Sequence, residues 1–297
     1  MSKPASQMSD KALAWLLLIT LSFIWGSSFI LIKRGLEIYS PLELGALRIV
    51  TAGLFLSPVA VSRIGKLSKR NWQILLLAGF VGSFGPAFLF ALAQTHLDSG
   101  LAGSLNALTP LFTILIGSWF FSSTFTRRNA IGIAIGFVGT VLLIFAGSDG
   151  GISGFNFYAL FVVLATILYA TNLNVIKAYL ADLKPLTITS VSLLMVLPLA
   201  LVILASATDF STKIIYTKGA WEALGYISIL GVVGTAIALI IFNKTVQIST
   251  PLFTSSVTYI IPLIAVIWGL LDGEKLLVTH YISMALILAG VFIANRK

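Results

Sequence analysis

Several polar side chains interrupt stretches of sequence that are otherwise apolar, and their types suit ligand binding rather than covalent chemistry. In hydrocarbon an unsatisfied polar group is costly, so such residues either pair with one another or serve a function. Hydroxyl and amide groups can hold a carboxylate and an ammonium group without burying a permanent charge. The alternative is hydrogen bonding between helices, which Ser and Asn commonly form in membranes. The candidate substrate-binding residues are Trp25, Ser27, Ser28, Gln94, Asn106, Asn172, Asn174, Asn243, Ser256 and Tyr259.

Arg48 and two prolines are candidates for gating or structural roles. Arg48 lies two turns into the second apolar stretch, about 10 Å deep at about 1.5 Å rise per residue. It could bind an anion or act as a gating charge, or it could be a structural arginine bonded to carbonyl groups. Glu43 lies about 140° around the same helix and so does not share its face. Pro110 and Pro262 each remove a backbone hydrogen bond and predict a pair of kinks.

Catalytic chemistry has few candidates in this sequence. The chain contains no cysteine, which excludes disulfides, thiol catalysis and thiolate metal sites. Its two histidines, His96 and His280, fall at the ends of apolar stretches, and no pair of Asp residues lies in the middle of one. Hydrolytic triads and paired carboxylates need such residues close together. We therefore expect no enzymatic activity, no metal and no cofactor.

Ten apolar stretches joined by short polar links must position these residues. The chain of 297 residues is 58% hydrophobic and 10% charged, whereas an average soluble domain is about 25% charged. The first stretch, 12–32, is long enough for the hydrocarbon core of about 30 Å. Membrane strands alternate in polarity, and these stretches do not. The sequence predicts an all-α membrane protein with ten transmembrane helices near 12–32, 41–62, 72–95, 99–122, 128–147, 155–177, 186–206, 219–244, 250–272 and 276–294.

The distribution of charge explains the net charge of +9 as a topology signal. Lys and Arg concentrate in the links that share a side with both termini. Asp98, Asp149, Asp209, Asp272 and Glu274 fall on the opposite side, which we call the far side. By the positive-inside rule, this asymmetry predicts a multi-pass protein of the inner (plasma) membrane with both termini in the cytoplasm. We expect the lipid bilayer as a partner and no nucleic acid.

The two halves of the sequence resemble each other. At an offset of 144 residues Trp25 aligns with Tyr169, Ser28 with Asn172 and Lys33 with Lys177, and both lysines are expected to reach the lipid headgroups. At an offset of 152, residues 79–82 (GFVG) align with 231–234 (GVVG), and Ser104, Pro110 and Gly117 align with Ser256, Pro262 and Gly269.

The repeat has a direct topological consequence. Because each half, 1–150 and 151–297, holds five helices, the second half enters the membrane from the opposite side. Such inverted repeats enclose a site near the midplane that is exposed alternately to each side of the membrane. The repeat thus favours a transporter of a small-molecule substrate and leaves the oligomeric state open.

The chain also resembles a known family in its local motifs. Residues 23–29 (FIWGSSF), followed by Lys33, the dipeptide 40–41 (SP) and Arg48, resemble the EamA-type branch of the drug/metabolite transporter superfamily. The similarity continues through 101–110 and 273–275 (GEK). Members often place a Glu after helix 4, equivalent to Glu274, where this chain reads FSST.

The resemblance implies a ten-helix inner-membrane metabolite transporter. Transporters of this branch are commonly exporters of amino acids or related compounds. The alternative is a flippase or a carrier of lipid-linked or cationic drug-like compounds.

Overall fold

The computed structural model describes residues 10–65, 67–145, 156–249, 254 and 257–296, and within these ranges the chain is helical without strands. Nine helices of the described ranges are long and apolar enough to cross a membrane, and a tenth is a shorter apolar helix. The predicted all-α architecture is confirmed. The helices are α1 Asp10–Leu36, α2 Pro41–Ile64, α3 Lys69–Ala93, α4 Ser99–Phe120, α5 Arg127–Phe145, α6 Ala159–Tyr179, α7 Pro185–Ser206, α8 Ala220–Ile248, α9 Val257–Leu271 and α10 Val278–Asn295.

The predicted bounds agree with these helices to within a few residues wherever the chain is described. The predicted end of helix 5, at 147, lies outside the described residues, as do the predicted starts of helix 6, at 155, and of helix 9, at 250. The link between α7 and α8 contains a short helix, Phe210–Tyr216, that the sequence does not predict.

Two membrane helices are interrupted at matching positions by a π-helical turn. The turn in α3 spans Phe80–Phe84 and the turn in α8 spans Val232–Ile237. Both begin directly after the first glycine of the repeated GxxG sequence, at 79 and 231. A π turn inserts an extra residue into the helix and commonly marks a functional position. The shared interruption supports the alignment of the two halves.

The closely packed helix pairs described here each join one helix of the first half to one helix of the second. α2 packs against α7 and α5 packs against α10, so each of these pairs joins equivalent helices. α1 packs against α9 as α6 packs against α4, and α1 packs against α8 as α6 packs against α3. This pattern is that of two inverted five-helix repeats wrapped around one another.

Glycines bring α5 and α10 into contact through their backbones. Gly132, Gly136 and Gly139 of α5 lie against Gly290 and its neighbours on α10. A side chain on Gly290 would collide with backbone atoms of both Gly132 and Gly136. Small residues at three- and four-residue spacing allow this approach, as the sequence predicts.

Replacing Gly290 by Ala should separate α5 from α10 and lower the melting temperature of the detergent-purified protein. Overpacking of this kind costs about 1–3 kcal/mol. Gly225→Ala in α8 is the matched control, because a methyl group there meets no atom within 4 Å. Equal melting temperatures for the two variants would show that the backbone contact does not matter.

Candidate functional site

A cavity of about 140 Å³ lies between the two halves, near the middle of the helices. A dry cavity of about 150 Å³ in another protein accommodates benzene, so the space suits a compact ligand. Helices α1 to α4 contribute from the first half and α6, α8 and α9 from the second. The aromatic lining residues are Trp25, Phe29, Phe90, Tyr169 and Phe242, and the polar and charged ones are Ser28, Arg48, Ser83, Asn106, Thr109, Thr113, Asn172, Thr235, Thr254 and Thr258.

Each π turn places a glycine against a polar residue of the opposite half. Trp25 Nε1 donates to the carbonyl oxygen of Gly234 at 3.1 Å. That oxygen is available because the Ala238 N–H bonds the carbonyl groups of Val233 and Thr235 instead. Ser28 lies against Gly234 in the same way that Asn172 lies against Gly82.

This arrangement repeats in both halves of the protein. Ser28 and Asn172 are the residues that the repeat aligns, and so are Gly234 and Gly82. A larger residue at either glycine would enter the space that the facing polar side chain occupies.

Arg48 places a positive charge on the cavity wall. Its Nε donates to Thr235 Oγ1 at 2.8 Å, and Thr235 Oγ1 donates to the carbonyl oxygen of Leu230 at 3.1 Å. The side chain also interacts with Tyr169. Arg48 is only 7% exposed, and no carboxylate of the described residues forms an ion pair with it. A buried guanidinium that lines a cavity is suited to bind an anionic group.

Asn172 presents a buried acceptor at the same cavity. Its Oδ1 is buried and forms no hydrogen bond with any residue that the structure describes. Buried polar atoms normally have partners, so an unpaired one at a cavity wall suits a ligand donor.

Asn106 lies on the cavity wall beside an interruption of α4 at residues 107 and 108. Thr109 Oγ1 donates to the backbone carbonyl oxygen of Asn106 at 2.8 Å. Pro110 cannot donate to that carbonyl, because proline has no N–H. Pro110 therefore stands at the start of a new helical segment, whereas Pro262 lies inside a continuous helix. The two prolines therefore differ in their helical context, and the predicted pair of kinks stays a prediction.

The structure brings six of the predicted residues together at the cavity: Trp25, Ser28, Asn106, Asn172, Arg48 and Pro110. Of the other predicted residues, Ser256 lies outside the described residues, and the rest do not line the cavity. Tyr259 accepts from Asn295 at 3.3 Å, and Pro262 follows the lining residue Ile261 directly in the chain.

Four of the remaining residues bond across helices instead of facing the cavity. Ser27 accepts from Trp268 Nε1 at 2.8 Å, and Gln94 Nε2 donates to the carbonyl of Phe29 at 2.9 Å. Asn174 Nδ2 donates to the carbonyl groups of Thr113 and Ala170, and Asn243 Nδ2 donates to Thr189 Oγ1 at 3.1 Å. The reason is helical geometry: residues two positions apart, such as Asn172 and Asn174, point to nearly opposite faces.

Tyr169 and Thr235 are cavity residues that the sequence analysis did not select. A signal existed for both. Tyr169 is the repeat equivalent of Trp25, and Thr235 follows the second GxxG sequence directly.

At the far side, Lys33 forms ion pairs instead of reaching the headgroups. Its Nζ lies 2.7 Å from Asp272 Oδ2 and 3.0 Å from Glu274 Oε1. Arg34 pairs with Asp272 and with Glu37. The expectation for Lys33 is therefore wrong, because two carboxylates from the α9–α10 link lie within its reach. We call Lys33, Arg34, Asp272 and Glu274 the far-side ion cluster.

Glu274 also fixes the beginning of α4. Its carboxylate accepts from the backbone N–H groups of Ser99 at 2.9 Å and Gly100 at 3.1 Å. Carboxylates are favoured at helix N-termini, where N–H groups lack partners within the helix. Burial raises the pKa of neighbouring Asp98, and the negative charge of Glu274 raises it further.

Thr235→Val should lower the melting temperature of the purified protein, because the Arg48 Nε would lose its acceptor. Hydrogen bonds to charged groups contribute about 1.5–3 kcal/mol. Thr235→Ser keeps the hydroxyl and should remain close to the parent protein. If the valine and serine variants have the same melting temperature, the Arg48–Thr235 hydrogen bond does not hold the guanidinium in place.

The described residues form nine helices long enough to span a membrane and a shorter tenth, arranged as two inverted halves around a shared cavity, which is typical of a membrane transporter. The EamA-like transporter family matches residues 12–145 and 156–296. The chain belongs to this family and is a multi-pass membrane protein.

Individual relatives agree with this assignment. The chain is 26% identical over 292 residues to the inner membrane transporter YedA of Escherichia coli (strain K12), covering 94% of this chain and 89% of that protein. It is 25% identical over 293 residues to the "Probable terminal-alkyne amino-acid exporter" of Streptantibioticus cattleyicolor, covering 95% and 93%. A "Probable amino-acid metabolite efflux pump" of Salmonella typhimurium is 33% identical over 138 residues, or 44% of each chain.

A solved crystal structure shares the fold. It is 18% identical in sequence and superposes with a TM-score of 0.61 over 95% of this chain and 96% of the other.

Proposed function

We propose that the protein is an inner-membrane transporter that exports amino acids or related compounds by alternating access. The observation that carries the proposal is the cavity between the halves, whose wall combines the Arg48 guanidinium, the unpaired Asn172 oxygen and several aromatic rings. A chain of this family moves its cargo without changing it chemically, so we propose no enzymatic step. The direction of transport rests on the names of the relatives.

The chemistry of the cavity suits a zwitterion with an apolar side chain. Arg48 would bind the carboxylate, because guanidinium and carboxylate form strong charge-assisted hydrogen bonds. Asn172 Oδ1 would accept from the ammonium group, which offers only donors. Trp25, Phe29 and Phe90 would pack against the side chain, since aromatic rings provide large apolar contacts.

The alternative cargo, a lipid-linked or cationic drug-like compound, has less support. A cation would meet the positive charge of Arg48 in a setting of low dielectric, where repulsion is strong. A lipid-linked molecule would have to extend well beyond a cavity of about 140 Å³.

We further propose that the chain divides at residues 150 and 151, within a segment outside the described residues. The concentration of Lys and Arg on the side of the termini supports a cytoplasmic location for both termini.

The paired π turns in α3 and α8 would absorb the bending of these helices as the cavity changes its exposure.

A thermal-shift screen of the detergent-purified protein tests the cargo. Leucine and phenylalanine should raise the melting temperature with increasing concentration, because a ligand of the folded state stabilises it by about 2.7 kcal/mol at 100 times its Kd. Leucinol and phenylalaninol lack the carboxylate and should have little effect. A shift produced by cationic dyes but by no amino acid would contradict the proposal.

Two asparagines on one helix distinguish binding from packing. Asn172→Ala should abolish the ligand-induced shift and leave the melting temperature without ligand nearly unchanged, since Asn172 Oδ1 has no hydrogen-bond partner among the described residues. Asn174→Ala is the matched control: it should lower the melting temperature through two lost hydrogen bonds and keep the ligand-induced shift. The reverse pattern would place the ligand on the other face of α6.

A further inference from the structure

The two ends of the cavity differ in charge, although the fold makes them equivalent. The repeat pairs Lys33 of α1 with Lys177 of α6. It pairs Gly269 with Gly117, and the residue that folds back over each glycine is Glu274 in one half and Ser123 in the other. The backbone N–H of Glu274 bonds the Gly269 carbonyl at 2.9 Å, and that of Ser123 bonds the Gly117 carbonyl at 3.0 Å. Ser123 therefore occupies the position of Glu274 on the side of the termini.

The far side is held by ion pairs between the halves. Lys33 belongs to the first half, and its partners Asp272 and Glu274 belong to the second. The side chain of Glu274 is 1% exposed, and its carboxylate also holds the start of α4 through Ser99. Parting α1 and α4 from the α9–α10 link must break these contacts. Removing one partner from a buried ion pair is strongly unfavourable.

The side of the termini has hydroxyl groups at the equivalent positions. Lys177 and Ser123 are both exposed, and Lys177 forms no ion pair with a carboxylate of the described residues. An exposed lysine without a carboxylate partner contributes little to closure.

A second pair of positions shows the same difference. On the far side Glu43, at the start of α2, pairs with Lys213 at 2.6 Å. Its repeat equivalent is Thr187, at the start of α7, and this residue accepts from Arg63 Nη1 at 2.5 Å. The cation is present at both ends, whereas the carboxylate is present only at the far side.

We propose that the far-side ion cluster is a one-sided lock that favours the conformation closed on the far side and open towards the termini. The lock rests on the alternating access proposed above. Opening on the far side requires the loss of ion pairs whose carboxylates are buried, whereas the contact described at the equivalent position on the other side is a hydrogen bond. The resting protein would thus present its cavity to the compartment that holds both termini.

Cysteine labelling can test the lock, because the natural chain has no cysteine. Ile32 is 2% exposed and lines the cavity next to Lys33, so Ile32→Cys reports opening on the far side. In membrane vesicles of known orientation, Lys33→Gln should raise the rate of labelling by an impermeant maleimide from the far side at least about tenfold. Lys33→Arg should keep the slow rate. Lys177→Gln, the matched control, should leave the rate unchanged, and exposed Lys218→Cys reports which face is labelled.

A reciprocal variant tests the same lock by adding a charge. Ser123→Glu restores a carboxylate at the repeat position of Glu274, on the same side of the membrane as Lys177, and should favour closure on the side of the termini. Labelling of Ile32→Cys from the far side should then rise, and Lys177→Gln should cancel the increase. If Lys33→Gln does not accumulate in the membrane, the labelling rate of the Ser123→Glu variant tests the lock by itself.

The outcomes separate the lock from the proposed function. Unchanged far-side labelling in both Lys33→Gln and Ser123→Glu would overturn the lock, whatever ligand the cavity binds. Ile32→Cys that is never labelled from either face in any variant would overturn alternating access and the lock together. Failure to find an amino-acid ligand affects the cargo alone, because the labelling rates do not depend on it.

Discussion

The structure depends on one constraint: a polar group in hydrocarbon needs a partner, and the bilayer supplies none. Trp25 meets this constraint through the π turn of α8, and Asn174 meets it through the carbonyl groups of α4 and its own helix. These bonds join helices from different halves and thereby position the wall of the cavity. Among the described residues, Asn172 Oδ1 has no hydrogen-bond partner and Arg48 has no carboxylate partner, and both line the same cavity. Their placement at a shared space is the feature on which the proposed recognition of a solute rests.

The inverted repeat explains why such a site forms from low sequence similarity. The two halves have the same residues where these determine the backbone conformation, as in the GxxG sequences at the start of both π turns. They have different residues on the cavity wall, as in Trp25 against Tyr169 and Ser28 against Asn172. A symmetric frame thus encloses an asymmetric cavity. Such a cavity can bind a ligand that has no symmetry of its own.

The sequence was sufficient for the number of helices and the repeat, because apolar length and alignment are local properties. It was sufficient for only part of the site. Asn172 and Asn174 have the same chemistry, and only the rotation of α6 decides which of them faces the cavity. Lys33 was misjudged because its partners lie more than two hundred residues later in the chain.

The contact between α5 and α10 has a mechanical meaning for the whole molecule. The glycines of this pair bring backbone against backbone, so neither helix can slide without collision. The last helices of the two halves therefore form one tightly packed pair. In the proposed alternating access, motion that changes the exposure of the cavity would then fall on the other eight helices, with this pair as a fixed support. Residues of the α5–α10 contact, which are distant from the cavity, would then limit how far the other helices can move.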